Sequence, residues 1–131
     1  MKSSEGTTPE RRTKETNSVE DLEVFKLAHG LVLRVYEVTR SFPREETFGL
    51  VTQLRRAAAS VPANLAEGAG RLNRAEYRQF AGIAKGSAAE ASYHLFLARD
   101  LGYVAPDDYD RLRSDYDRVG QMLTRLTQAL S

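Results

Sequence analysis

The amino-acid sequence predicts an all-α protein, an antiparallel up-down bundle of four helices. Four stretches between residues 20 and 130 repeat apolar residues at intervals of three and four, the period of an α-helix with a buried face. No stretch shows the strict alternation of a half-buried β-strand. Short segments containing Gly, Pro or Asn separate the four stretches, and short connections join antiparallel neighbours in a bundle. A chain of 131 residues, 41% of them hydrophobic, suffices for one domain with one core.

The first helix is predicted over residues 20–41. Ser18 followed by Asp21 is typical of an N-cap with an acidic residue three positions on. Phe42-Pro43 should end the helix, because a proline pushes the preceding residue out of the helical region. Apolar residues cover two sides of this helix, which predicts packing on two sides.

The second helix is predicted from near Phe48 to Gly70, and three different stripes run along it. The apolar stripe consists of Leu50, Leu54, Ala57, Val61 and Leu65. The polar stripe consists of Gln53, Arg56, Ser60, Asn64, Glu67 and Arg71. The small face consists of Ala59, Ala63, Ala66 and Gly70. One buried stripe is enough for a helix in a bundle, so the surplus predicts that a second copy of the chain packs here.

Pro62 lies inside this second helix, next to the small face. A proline removes one backbone hydrogen bond, so we expect it to bend the helix and to free the carbonyl of Ala58. The alternative is a tolerated kink on a convex, solvated side of the helix.

The third helix is predicted to begin at Asn73, with Glu76 in the order of a capping box, and to end before Gly102 in a left-handed cap. The fourth opens at Pro106, a favourable first helical residue. Its apolar residues recur every 3.5 residues on average, the period of supercoiled helix packing: Tyr109, Leu112, Tyr116, Val119, Leu123, Leu126 and Leu130.

Composition limits the chemistry that is open to the chain. It contains no Cys, which excludes disulfides and thiolate nucleophiles. Residues 1–17 are polar and non-periodic, so we expect a disordered tail ahead of a bundle domain over 18–131. Neither a signal peptide nor a membrane-spanning run is evident, and we expect a cytoplasmic protein.

The net charge of +1 hides an uneven distribution. Residues 53–85 carry six basic and two acidic side chains, whereas residues 100–118 carry three basic and six acidic ones. The candidate phosphate contacts of a nucleic-acid surface on helices 2 and 3 are Arg55, Arg74, Arg78 and Lys85. The alternative is that two solvated helix faces simply differ in sign.

The polar stripe has a structural and a functional interpretation. Its side chains, with Glu90 of the third helix, form either a satisfied network at a helix seam or a ligand site, and the cost of burying an unpaired carboxylate favours the network. Arg56 is within reach of Ser60, and Glu67 of Arg71. Gly68 and Gly70 are predicted to cap helix 2, because the surrounding motif lacks the strand and the spacing of a phosphate-binding loop.

No catalytic or metal-binding constellation stands out. Glu90 and His94 are four residues apart, whereas di-iron bundles use Glu-x-x-His with further carboxylates, so we expect an ordinary helix pair. Gly86-Ser87 is typical of close backbone packing, since no base accompanies the hydroxyl. We expect no enzyme activity, no metal and no cofactor.

Several long motifs resemble one known family. They are "DLEVFKLAHGLVLRVYEVT", "FPREETFGLVTQLRRAAASVPANLAEGAGR", "EYRQFAGIAKGSAAEASYHLFLARDLGYV" and "YDRLRSDYDRVGQMLTRL". Together they resemble the bacterial four-helix-bundle family encoded in intervening sequences of large-subunit ribosomal RNA genes, over about residues 20–130. The chain departs from the family pattern at Phe25, where Trp is usual, and at Ala105, where Ser often caps the fourth helix.

The resemblance implies a four-helix subunit in a ring-shaped homopentamer. It extends to the accessory variability proteins of diversity-generating retroelements, which bind nucleic acid and assist a reverse transcriptase. We therefore expect a noncatalytic, oligomeric protein that binds RNA or DNA, with a reverse transcriptase or another protein as a further partner. The alternative is a structural or protein-interaction scaffold without nucleic acid.

Overall fold

The structure, a computed structural model, describes residues 19–131, and within that range it contains four long helices and no strand. They are α1 (Glu23–Thr39), α2 (Thr52–Ala69), α3 (Arg74–Asp100) and α4 (Pro106–Ala129). Each helix packs against the next, and α4 closes the bundle against α1. The predicted all-α four-helix fold is confirmed. The predicted tail over 1–17 lies outside the described residues, and the domain boundary at residue 18 stays a prediction.

Helix α1 is shorter than predicted at both ends. A 3₁₀ turn (Val19–Asp21) precedes it, and Leu22 occupies the N-cap position without a side-chain hydrogen bond. The predicted cap residue, Ser18, lies outside the described range. At the other end the Thr39 hydroxyl donates to the carbonyl of Val35 at 2.7 Å, and the buried Phe42 follows in the connection to α2.

Helix α2 begins four residues later than predicted, after a 3₁₀ turn (Arg44–Glu46) and a wide π-type turn (Thr47–Val51). Gly49 inside that turn has non-helical dihedral angles, φ −117° and ψ −105°, which separate the turn from the helix. The carboxylate of Glu46 accepts the backbone N–H of Leu50 at 3.3 Å and the hydroxyl of Tyr103 at 3.0 Å. Glu46 therefore joins the start of α2 to the loop that follows α3.

Pro62 is buried, and α2 continues through it to Ala69. The alternative of a kink on a solvated side is therefore wrong. The residue faces the interior because it stands close, around the helix axis, to the core residues Ala58 and Leu65.

The predicted caps of α3 are confirmed. The side chain of Asn73 accepts the backbone N–H of Glu76 at 2.8 Å. Gly102 has φ +83°, and the backbone N–H of Tyr103 bonds the carbonyl of Ala98 at 2.8 Å, which is a Schellman ending. Helix α4 begins at Pro106 as predicted, with Ala105 at the N-cap and no side-chain cap bond.

The core combines large and small side chains. Five leucines are fully buried, and the inner side of α3 consists mainly of alanines, which lets the neighbouring helices approach its backbone. The leucines are Leu31, Leu54, Leu65, Leu95 and Leu123, and the alanines are Ala81, Ala84, Ala88, Ala91 and Ala98. Because of this close approach, α3 forms narrow seams with α2 on one side and with α4 on the other. The candidate residues lie along these two seams.

Candidate nucleic-acid interface

The centre of the polar stripe is a hydrogen-bonded group between α2 and α3. The hydroxyls of Ser60 and Ser87 are 2.8 Å apart, and the amide nitrogen of Asn64 donates to both the carbonyl and the hydroxyl of Ser60 at 2.8 Å. Each of the three side chains is half-buried. Ser60 is thus bonded to Ser87 and Asn64 rather than to Arg56, the partner expected from spacing.

The two ends of the stripe are separate from that centre. At one end Arg71 pairs with Glu67 at 2.7 Å, as predicted, and its guanidinium lies 4.8 Å from the ring centroid of Phe80. At the other end Gln53, Arg56 and Glu90 line a shallow depression of about 380 Å³. The predicted continuous network is therefore three local groups.

Glu90 contacts His94 on the same helix. Glu90 lies at the surface, as expected for such a pair, whereas His94 is buried. The His94 Nε2 and Glu90 Oε2 atoms are 3.3 Å apart, but His94 is 8% exposed and its Nδ1 atom has no hydrogen-bond partner in the described structure. The burial of His94 was not predicted, although it falls three residues after Ala91 on the core side of α3. Across residues 19–131, no three potential His, Asp or Glu ligands converge on a metal site.

Two glycines have roles different from those predicted. Gly68 lies inside α2, where a Cβ atom would be 2.8 Å from Cβ of Phe80 and 3.3 Å from the carbonyl oxygen of Tyr77. It permits the close crossing of α2 and α3, whereas Gly70 is the C-cap residue. Gly86, predicted to pack closely, has open space where its Cβ would stand.

The four predicted phosphate contacts do not form one cluster. Arg55 donates from Nε to the hydroxyl of Thr39 at 2.8 Å, and its guanidinium lies 4.4 Å from the ring centroid of Tyr36. It is therefore held against α1, near the start of α2. Arg74 lies near the opposite end of α2, about 20 Å away along the bundle at 1.5 Å per helical residue.

The other three cations form a row on α3, which we call the basic row: Arg74, Arg78 and Lys85. At 100° per residue they fall within about 40° of one another, on the side that faces α4. Arg74 donates to the carbonyl of Ala129, and Arg78 donates to that of Thr127 at 3.2 Å. These carbonyls belong to the last turn of α4, so the two guanidiniums also stabilise the negative end of that helix.

Lys85 opens onto a groove of about 510 Å³ between α3 and α4. The groove exists because Ala88, Ala89 and Gly120 leave space between the two helices. Tyr116 lies at its base, and its buried hydroxyl has no hydrogen-bond partner within residues 19–131. Burial raises the pKa of the Tyr116 hydroxyl well above its ordinary value.

The small face of α2 is open within the single chain. Ala63, Ala66 and Gly70 are exposed, and Ala59 is half-buried. Leu33 of α1 is 59% exposed. Within residues 19–131, therefore, the small face has no cover. Other large apolar side chains are also exposed: Tyr36, Phe48, Leu72, Ile83, Tyr93, Phe96 and Leu101.

Sequence reasoning missed three of these features. The exposure of Phe48 and Leu72 follows from their places in the connections at either end of α2, outside the periodic stretches. The aromatic pair of Tyr93 and Phe96 lies off the buried face of α3 that the apolar periodicity identifies, although a three-residue spacing on a helix signals neighbouring side chains.

No helix in the described part of the chain is both long and apolar enough to cross a membrane. No curated protein matches the sequence. A solved structure does match the fold: a protein of unknown function from the S23 ribosomal protein family of Bacteroides thetaiotaomicron, with a TM-score of 0.74 and 21% sequence identity. The match covers 79% of this chain and 97% of the other.

The family model described as 23S rRNA-intervening sequence protein matches residues 20–125. That span contains all four helices except the last few residues of α4, and it includes every residue of the polar stripe and the basic row. The chain therefore belongs to the 23S rRNA-intervening sequence protein family.

Proposed function

We propose that this protein is a noncatalytic, self-assembling helical bundle that binds nucleic acid through the basic row on α3. The observation that carries the proposal is the alignment of Arg74, Arg78 and Lys85 along one side of a helix. Glu76, the acidic residue of this stretch, lies on the opposite side of α3 at 100° per residue. A row of cations of this kind attracts a phosphate backbone.

The bonds that Arg74 and Arg78 make to α4 leave them able to bind phosphate. A guanidinium has five N–H donors, and each of these side chains donates one hydrogen bond to a backbone carbonyl. Such bonds hold the charged groups in place, which lowers the entropy lost on binding. Lys85 is exposed and makes no hydrogen bond or ion pair in the described structure, so its ammonium group is available. Arg55 is held against α1, away from the basic row. In this proposal it contacts phosphate separately from the basic row.

Assembly is the second part of the proposal. The small face of α2 is open within residues 19–131, and α1 exposes the apolar side chains of Leu33 and Tyr36. Exposed apolar surface of this kind marks interaction sites. The resemblance described above suggests a ring-shaped homopentamer. Copies in a ring would repeat the basic row and raise its affinity for a long polyanion through multivalency. The resemblance to retroelement accessory proteins suggests a reverse transcriptase as a further partner. The cytoplasmic location expected from the sequence is also part of the proposal.

A scaffold without nucleic acid is the second candidate, and a specific observation favours it. Arg55, Arg74 and Arg78 each contact groups of their own chain, so these three side chains have a structural use. In that case the exposed apolar faces serve protein docking alone.

Binding of labelled RNA and DNA across a salt series separates the two candidates. We expect affinity to fall steeply with salt, and Lys85→Gln to reduce the log–log slope by about 0.7–0.9, the value for one phosphate contact. Arg40→Gln is the matched control, since it removes one positive charge from α1, where Arg40 pairs with Glu37 at 3.0 Å. Absence of binding by the wild type at low salt would reject the nucleic-acid function and favour the scaffold.

A further inference from the structure

We propose that α3 binds single-stranded RNA or DNA, with phosphates on the basic row and unstacked bases on Tyr93 and Phe96. This inference rests on the proposed function and names the class of nucleic acid. Single-strand sites combine a cationic track for the backbone with aromatic side chains on which bases stack. Helix α3 carries both components on one surface.

Phe96 continues the line of the basic row, and Tyr93 lies about 60° from Phe96 around the helix axis, toward the outer face of α3. At 100° per residue, Phe96 lies within about 20° of Arg78 and Lys85 around the helix axis. Phe96 is about 16 Å beyond Lys85 at 1.5 Å per residue, and the whole line from Arg74 to Phe96 measures about 33 Å. That length accommodates several nucleotides of an extended strand.

Tyr93 and Phe96 present accessible rings. They are 56% and 41% exposed, and their ring centroids are 6.4 Å apart with an interplanar angle of 34°. The guanidinium of Arg99 lies 4.7 Å from the ring centroid of Phe96 and 4.7 Å from that of Tyr109. Arg99 thus supports the Phe96 ring against α4, and its guanidinium is paired with the carboxylate of Asp100 at 3.0 Å.

The groove between α3 and α4 runs along α3 from Lys85 to Ser92, the residue before Tyr93. Its walls offer the hydroxyl of Ser92 and the amide of Gln121, which are side chains of the kind that contact phosphate and sugar groups. Asp117 also lines the groove, and its carboxylate lies 3.7 Å from Nε of Arg113, which offsets its repulsion of phosphate. A strand that follows this groove from Lys85 leaves it at Ser92, about 6 Å along the helix from Phe96.

The arrangement should discriminate between single strands and duplexes. In a duplex the base faces are stacked on one another, so rings on a protein surface have no base face to contact. When an aromatic side chain that stacks on a base is replaced by alanine, the affinity falls about 5- to 150-fold per base. The effect depends little on the identity of the base. We therefore expect binding with a preference for single strands and with weak sequence preference.

Fluorescence anisotropy with short labelled oligonucleotides tests the inference, using oligouridylate, oligothymidylate and a duplex of the same length. Tyr93→Ala should bind both single strands about tenfold more weakly, with an unchanged salt slope, because stacking contributes little to counterion release. Tyr93 makes no side-chain hydrogen bond in the described structure, so the variant should fold. Ile83→Ala is the matched control, since it removes a side chain that is 47% exposed from the other flank of α3.

The outcomes separate this inference from the function on which it rests. Wild-type preference for single strands, together with a loss of single-strand affinity in Tyr93→Ala, supports the inference. Tighter binding of oligouridylate than of oligothymidylate, or the reverse, shows whether the ligand is RNA or DNA. Equal binding of duplex and single strands, or wild-type affinity in Tyr93→Ala, overturns it, while a reduced salt slope in Lys85→Gln would still uphold nucleic-acid binding. A changed particle mass in Tyr93→Ala also overturns it, because the rings would then belong to an assembly contact.

Discussion

The side of α2 that faces α3 and the side that carries its alanines are both built from small residues, yet they differ in what surrounds them. Toward α3, a Cβ on Gly68 would be 2.8 Å from Phe80, and Ser60 bonds Ser87. On the other side Ala63 and Ala66 are exposed in the single chain. Small residues thus serve a contact within the chain on one side, and the other side remains available for a contact between chains.

The largest effect is expected where the packed side is closest. Gly68→Ala should lower the free energy of unfolding by about 1–3 kcal/mol, because the added methyl group meets Cβ of Phe80 and the backbone of Tyr77, neither of which swings aside. Gly86→Ala is the matched control, with open space around it, and it should gain about 0.5–1 kcal/mol from helix propensity. Urea denaturation of both variants measures the difference. Equal effects of the two substitutions would show that α2 and α3 do not cross closely at Gly68.

A smaller effect is expected at the hydrogen bond between the packed helices. Ser87→Ala should cost about 0.5–1.5 kcal/mol, the net contribution of one hydrogen bond, since Ser60 keeps its bond to Asn64. A double-mutant cycle with Ser60→Ala should give a coupling free energy of at least about 0.5 kcal/mol. Additive losses would mean that the two hydroxyls act independently and that the seam is held by apolar contacts.

Tyr116 extends the contrast to a buried polar atom for which residues 19–131 supply no partner. Since its hydroxyl makes no hydrogen bond in the described structure, Tyr116→Phe should change stability at neutral pH by less than about 0.5 kcal/mol. Loss of more than about 1 kcal/mol would reveal a partner for the hydroxyl, such as an ordered water in the bundle.

At alkaline pH the same variant should become the more stable one. Burial raises the pKa of Tyr116 above its ordinary value of 10.0, so the folded chain keeps this proton to a higher pH than the unfolded chain. The stability that this group contributes is complete below pH 10.0 and is lost as the pH rises toward the folded pKa, by up to about 1.4 kcal/mol per pH unit. Urea denaturation of wild type and Tyr116→Phe above pH 10.0 measures the difference. Parallel pH profiles would contradict the burial.

Periodicity predicted the four helices because each has a long apolar face, and cap chemistry located the ends of α3 and the start of α4. The start of α2 was predicted too early because Gly49 adopts a non-helical conformation that a helical pattern conceals. The roles of Gly68 and Gly86 were predicted wrongly for a different reason. A glycine tolerates both close packing and open space, and only the position of the neighbouring helix distinguishes the two.

The candidate site was predictable in composition but not in arrangement. The four-residue spacing correctly placed Glu67, in the last turn of α2, beside Arg71, which directly follows the C-cap of that helix. Spacing could not show that Arg55 turns toward Thr39 of α1, or that Arg78 reaches the carbonyl of Thr127 on α4. Those contacts depend on which helices are neighbours. The predicted basic surface spans helices 2 and 3, whereas in the structure the basic row lies on α3 alone, beside α4.

Multi-angle light scattering at micromolar concentration tests whether another copy covers the alanine side of α2. We expect wild-type particles of several times 14.6 kDa, and we expect Ala63→Leu to reduce that mass while helical circular dichroism is retained. Ala75→Leu, at an exposed alanine of α3, should assemble as the wild type does. A wild-type mass of 14.6 kDa, or an unchanged oligomer in Ala63→Leu, would contradict the account.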